Sequence, residues 1–238
     1  VKKKAIACVL PHAGYMYSGA VAAKTISGIQ LPDKIILVGP NHTGYGAPFS
    51  VMAEGSWQTP LGQVKIDAQL AGKLLKQSKY LEADTLAHEH EHSLEVELPF
   101  LQYLHPGFQM VPIIVSGSRP EILAQVGRDI AAVIRDNKLL DSALIIASSD
   151  MTHYEPQARA QEKDRQAIEA ILGLDEVELL KRVSAYGISM CGWAPVAVML
   201  SAAKSLGATR ATLVKYQTSG DVSKDYSSVV GYAGIILQ

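Results

Sequence analysis

An α/β fold, built as a single domain over residues 1–238 with a mostly parallel mixed sheet and helices on both faces, is predicted by three observations. Short apolar runs rich in Val and Ile alternate along the chain with stretches of helical periodicity. The central runs are apolar throughout, as expected of strands buried on both faces. The last two runs are separated only by a short polar loop, Ser219 to Asp225, and so are expected to lie antiparallel.

In order, strands are expected near 5–10, 34–39, 110–115, 143–148, 211–217 and 229–237. The first is Ala5-Ile6-Ala7-Cys8-Val9-Leu10, closed by Pro11, and the second is Ile35-Ile36-Leu37-Val38, closed by Gly39-Pro40. Helical patterns fall near 18–29, 67–78, 94–104, 119–137, 156–171, 175–183 and 195–206. Leu94, Leu98 and Leu101 have the spacing of a buried helical face, and Pro195 suits a first helical turn. Trp57-Gln58-Thr59 and Gln63-Val64-Lys65-Ile66 flank Pro60-Leu61-Gly62 as a small hairpin.

Composition excludes several functions. Hydrophobic residues make up 48% of the chain and the net charge is −1, values of an ordinary soluble protein. There is no basic excess for nucleic acid, no polybasic segment for a membrane surface and no apolar stretch of spanning length. Lys2-Lys3-Lys4 reads as a solvated start. Two cysteines are too few for a disulfide framework, and a signal-peptide pattern is lacking, so a cytoplasmic protein is expected. Cys8 is expected to be a small buried residue. The chain enters its first strand at once, an expectation that residues upstream are missing.

The candidate site residues sit where strands end. His12, His42 and His153 each follow an apolar run, and ligands of open α/β sheets bind beyond the carboxyl ends of strands. Neutral imidazole is a common ligand of zinc, copper and iron, so a metal site is expected there. Asp150, three residues before His153, either orients that imidazole from the same face of a helical turn or caps a helix. Cys191 precedes a predicted helix start, where the helix dipole is expected to favour thiolate. The run His88-Glu89-His90-Glu91-His92 reads as a solvated acidic turn, with only His92 and Glu95 held by the helix that comes next. His105 reads as a loop residue, and Tyr15 and Tyr17 either line a pocket or pack on the next helix, packing being the reading aromatics favour. No Gly-x-Gly-x-x-Gly after a strand, Walker loop or Gly-x-Ser-x-Gly elbow occurs, which argues against nucleotide binding by those routes and against a serine hydrolase.

Five segments, in order and across nearly the whole chain, carry a resemblance: Pro11-His12-Ala13-Gly14-Tyr15-Met16-Tyr17-Ser18-Gly19, Gly39-Pro40-Asn41-His42-Thr43-Gly44, Glu91-His92-Ser93-Leu94-Glu95, Ser148-Ser149-Asp150-Met151-Thr152-His153-Tyr154, and Ser219-Gly220-Asp221 with Val229-Val230-Gly231-Tyr232-Ala233. The sequence resembles the Memo family, the B component of the AmmeMemoRadiSam system. The resemblance implies a fold similar to class III extradiol dioxygenases. It also implies radical-SAM and AMMECR-like proteins as companions, His12, His42 and Cys191 as metal ligands, and Asp150, His153 and His92 as pocket residues beside the metal. The family's N-terminal segment, with its Arg-x-Pro and Gly-x-Tyr/Trp-Tyr-Pro patterns, is not found ahead of His12.

Three functions are therefore expected. One is a redox-active copper or iron protein, zinc being a further option, with Asp150 and His153 as a proton relay. Another is an extradiol-type dioxygenase of an aromatic substrate. The third is a non-catalytic module that holds a small molecule, a peptide or a protein in the same pocket. Thiolate in place of a carboxylate favours soft metals over a hard iron site, so ring cleavage is not implied by the fold alone.

Overall fold

A computed structural model describes residues 2–238. The chain begins with β1 (Ala7–Leu10), α1 (Tyr15–Ser27), β2 (Lys34–Pro40) and β3 (Phe49–Val51). The hairpin β4 (Ser56–Thr59) and β5 (Gly62–Ile66) comes next, then α2 (Ala68–Gln77) and β6 (Glu82–Ala83). A 3-10 turn, Glu95–Glu97, leads into α3 (Leu98–Leu104), β7 (Gln109–Val115), α4 (Pro120–Asp136), β8 (Ala143–Ser148) and β9 (His153–Glu155). The chain closes with α5 (Gln157–Leu172), α6 (Glu176–Ala185), α7 (Trp193–Ser205), β10 (Ala211–Thr218), α8 (Gly220–Ser223) and β11 (Val229–Leu237). Local chemistry sets several boundaries. Asp67 and Asp175 cap α2 and α6 by accepting from the backbone N–H of Leu70 and Glu178. Pro120 opens α4, where its missing N–H is not needed.

The sheet runs β10-β11-β1-β8-β2-β7-β3-β6. Strands β1, β8, β2 and β7 are mutually parallel, and β10 and β11 close one side antiparallel, as the short loop between them predicts. Strand β8 therefore lies between β1 and β2, and the three carboxyl ends stand side by side on one edge. Alternate residues face opposite layers. Val9, Val38 and Ile145 pack in the larger core, which takes in Leu123 and Val126 of α4 and Val196 and Leu200 of α7. Cys8, Leu10, Leu37 and Ile146 face Ile26 of α1 and Leu98 and Leu101 of α3. Cys8 is thus the buried filler expected. Among the described residues, no helix is long and apolar enough to cross a membrane.

Several features differ from the sequence expectation. The short strands β3, β6 and β9 carry too few residues for a periodic signal. The helix expected over 94–104 is a 3-10 turn leading into α3, with Pro99 at its start. No helical turn joins Asp150 to His153, because the chain enters β9 there and Tyr154 takes a left-handed φ of 58°. Tyr15 does not enter the core; it is 54% exposed and packs edge-on against Phe100, with ring centroids 5.5 Å apart.

Candidate metal centre

His12 leaves the end of β1 behind Pro11, and His42 leaves β2 behind Asn41. Cys191 precedes Gly192, the residue that begins α7. One donor atom from each of His12, His42 and Cys191 lies within 4.8 Å of the other two. The Cys191 Sγ is 3.3 Å from His12 Nε2. The ring of His92 completes the cluster, 5.5 Å from that of His12 and stacked at 4.9 Å on that of His42.

Hydrogen bonds assign the tautomers. The Ser148 hydroxyl donates to the Ser93 carbonyl at 2.6 Å, so its lone pair receives the Nδ1–H of His12 at 2.8 Å. That leaves His12 Nε2 bare and facing the sulfur. The Glu91 carboxylate accepts from His42 Nδ1 at 2.8 Å, from the His42 backbone N–H at 2.6 Å and from the Ser93 backbone N–H at 3.0 Å. His42 then presents Nε2. His42, Glu91 and His92 also form a donor group of the same size. The carboxylate of Glu91 is already engaged by three donors, two of them from His42, which makes it an anchor for His42, in the way ligating histidines are commonly held by an outer carboxylate.

The electrostatics set the two imidazoles apart. Burial, reinforced by the neighbouring imidazoles of His42 and His92, lowers His12 to about 3, so its ring is uncharged at neutral pH. His42 is raised above its ordinary value by its hydrogen bond to Glu91. Burial alone would raise Glu91, but the hydrogen bonds from His42 and Ser93 outweigh it and hold the carboxyl down at about 2. Cys191 is the correction to the sequence reading. Burial first, and the charge of Asp150 second, push its thiol up to about 12, more than the helix start offsets. Without a cation it is a thiol, not a thiolate.

Asp150 also plays another part than the one expected. Its Oδ1 accepts from the backbone N–H of His12 at 2.9 Å and of Ala13 at 3.3 Å, while its own N–H points at Cys191 Sγ, 3.2 Å away. It ties the β1 and β8 loops together and lines the thiol. Burial raises its carboxyl to about 6 against those hydrogen bonds. Among the described residues, no hydrogen bond joins Asp150 to His153. His153 is instead held by Ser189, whose hydroxyl accepts its N–H at 2.8 Å and whose carbonyl pairs with its Nδ1 at 2.9 Å, leaving Nε2 free. His105 is a loop residue as expected, pairing with Asp33 through Nε2 at 2.9 Å.

A protein-family model described as Memo-like protein matches residues 1–236. The chain belongs to the Memo family. Named relatives agree. A MEMO1 family protein of Methanopyrus kandleri is 44% identical over 234 residues, covering 97% of this chain and 82% of the relative. Those of Methanosarcina mazei and Aquifex aeolicus are each 45% identical over 238 residues, covering all of this chain and 87% and 86% of the relatives. An uncharacterized protein from Escherichia coli K12 shares the fold, with a TM-score of 0.64 at 16% identity, covering 97% of this chain and 98% of that one.

In this Memo family member the residues that sequence reasoning passed over are Glu91 and Ser148. Glu91 sits in a run that reads as solvated, yet its side chain is 1% exposed. Its neighbour His88 is buried as well, at 7% exposure, with neither ring nitrogen hydrogen-bonded. Burial lowers His88 to about 4, below the ordinary 6.5. The unfolded chain therefore binds a proton at His88 between those values that the folded chain refuses. The resulting expectation is stability that is full above pH 6.5 and falls toward pH 4, by up to about 3 kcal/mol from this residue. Urea titrations of wild type and His88→Phe across that range would show it as a slope present in the first and reduced in the second. Parallel slopes would exclude His88 as the source.

Proposed function

We propose that this protein binds a copper or non-haem iron ion, with zinc as the redox-silent alternative, through His12, His42 and Cys191, and that the loaded centre is redox-active. The observation that carries the reading is the convergence of three donor atoms within 4.8 Å from three distant chain segments. The donor set fits a transition metal: each imidazole has its Nδ1 occupied by a protein partner, and the sulfur stands against His12 Nε2. A bound ion of this kind supplies one-electron chemistry and Lewis acidity.

The chain's own residues handle the proton. Cys191 must surrender its hydrogen to become a ligand. Asp150, whose charge acts on that thiol, is the nearby carboxylate that would receive it. His153, whose charge acts on Asp150 and whose Nε2 is free on a partly exposed ring, would carry it onward to solvent across a gap that no direct hydrogen bond spans. Ser148 and Glu91 keep the two imidazoles turned inward throughout. The two cysteines are unpaired, which supports residence in the reducing cytoplasm.

The test is elemental analysis of protein purified without oxygen, for wild type and for His12→Ala, His42→Ala and Cys191→Ser. Near-stoichiometric copper or iron in the wild type, absent from each folded variant, is expected. Cys191→Ser should also abolish any sulfur-to-metal charge-transfer band. Equal metal in all four proteins would overturn the assignment.

A further inference from the structure

A cavity of about 610 Å³ opens beside the cluster and shares Glu91 with it. That is the size range of small-molecule sites. Its apolar walls include Met52, Trp57 and Tyr15, the last lying three residues after His12. Its carboxylates, Glu89, Glu91 and Glu95, face no lysine or arginine in the lining. Glu91 is matched by His42, but neither Glu89 nor Glu95 forms an ion pair among the described residues. His88 lies in the same wall, packed edge-on to Trp57 with ring centroids 6.0 Å apart, and its buried ring nitrogens have no protein partner.

We propose that this cavity binds a small planar aromatic amine, its ring against Trp57 and Tyr15 and its ammonium between Glu89 and Glu95. An aromatic face stabilises a cation as well as a flat ring, and unpaired carboxylates complete the recognition. The same carboxylates repel an aromatic acid, a catecholate or a phosphate. His88 backs this wall, its ring packed edge-on to Trp57. Such binding needs only the cavity walls and goes beyond the metal reading.

Isothermal titration with tryptamine and tyramine, set against indole-3-acetate, tests it on metal-free and metal-loaded protein. Saturable one-to-one binding of an amine is expected, at least tenfold tighter than the acid and weakened by salt. The double variant Glu89→Gln/Glu95→Gln should lose at least tenfold for the amine. Both positions are exposed, so its circular dichroism should match the wild type. Absence of saturable amine binding, equal binding of the acid, or an unchanged double variant each overturns the inference. Metal content measured on the same samples is a separate readout, so failure here is distinguishable from failure of the metal centre.

Discussion

Gly192→Ala is expected to lose the metal and to be severely destabilised. A Cβ on residue 192 would stand 2.3 Å from the Ser148 carbonyl oxygen and 2.4 Å from the Ser149 Cβ. Neither neighbour is the far end of a flexible side chain; both belong to the end of β8. Backbone strain is not the cause, since φ of −94° and ψ of 26° are open to alanine. The start of α7 must therefore withdraw from β8. It would break the bond from the Gly192 N–H to Ser149 Oγ, now 3.0 Å, and carry Cys191 away from His12. Overpacking costs about 1–3 kcal/mol and sometimes more. At the upper end, a chain of this size loses on the order of 6–12 °C in Tm. Thermal melts with elemental analysis check both effects. A melting point within a degree or two of wild type and full metal content would mean that the α7–β8 contact does not seat the thiol.

Glu91→Gln is the second large effect. Glutamine matches the volume but has one carbonyl oxygen where three N–H donors now converge on a carboxylate. One donor at least is left facing an amide NH2, and His42 loses the partner that orients it. Removal of such outer-shell groups typically costs 10–100-fold in metal affinity, and that range is expected here in competition with a chelator. A stability loss on the order of 1–3 kcal/mol should accompany it. This lies below the cost of breaking a fully buried pair, because the His42 side chain is one-third exposed. The carboxyl sits at about 2 when folded against an ordinary 4.5, so its contribution is complete above pH 4.5 and disappears as pH falls through 2. Wild type and variant should therefore differ at pH 7 and converge in strong acid. Unchanged chelator competition would remove Glu91 from the centre.

Much of the fold and of the candidate site was legible in residue order, and the reason is geometric. His12, His42 and Asp150 each come directly after a run that is apolar on both faces, and such runs deliver the residues beyond them to a single sheet edge. The strand order was not legible. That β8 lies between β1 and β2 is decided by packing among distant segments. Glu91 was hidden for a related reason: its partner is 49 residues upstream, and in isolation alternating His and Glu reads as a wet turn. At Cys191 the position before a helix was legible, but the burial and the neighbouring carboxylate that reverse the expected acidity were not. The same holds for Asp150 and His153. Their spacing suits a helix, yet the chain enters β9 at His153, and Tyr154 within that strand is left-handed.

The placement of β8 between β1 and β2 also governs when the donors can meet. A ribosome that has released α3 but not β8 has delivered both imidazoles, but not the strand that must slot between their carriers. The sulfur arrives 179 positions after its first histidine partner. The three-donor group closes only once Cys191 has reached the two imidazoles, so a chain cut short between β8 and α7 carries the rings without the sulfur.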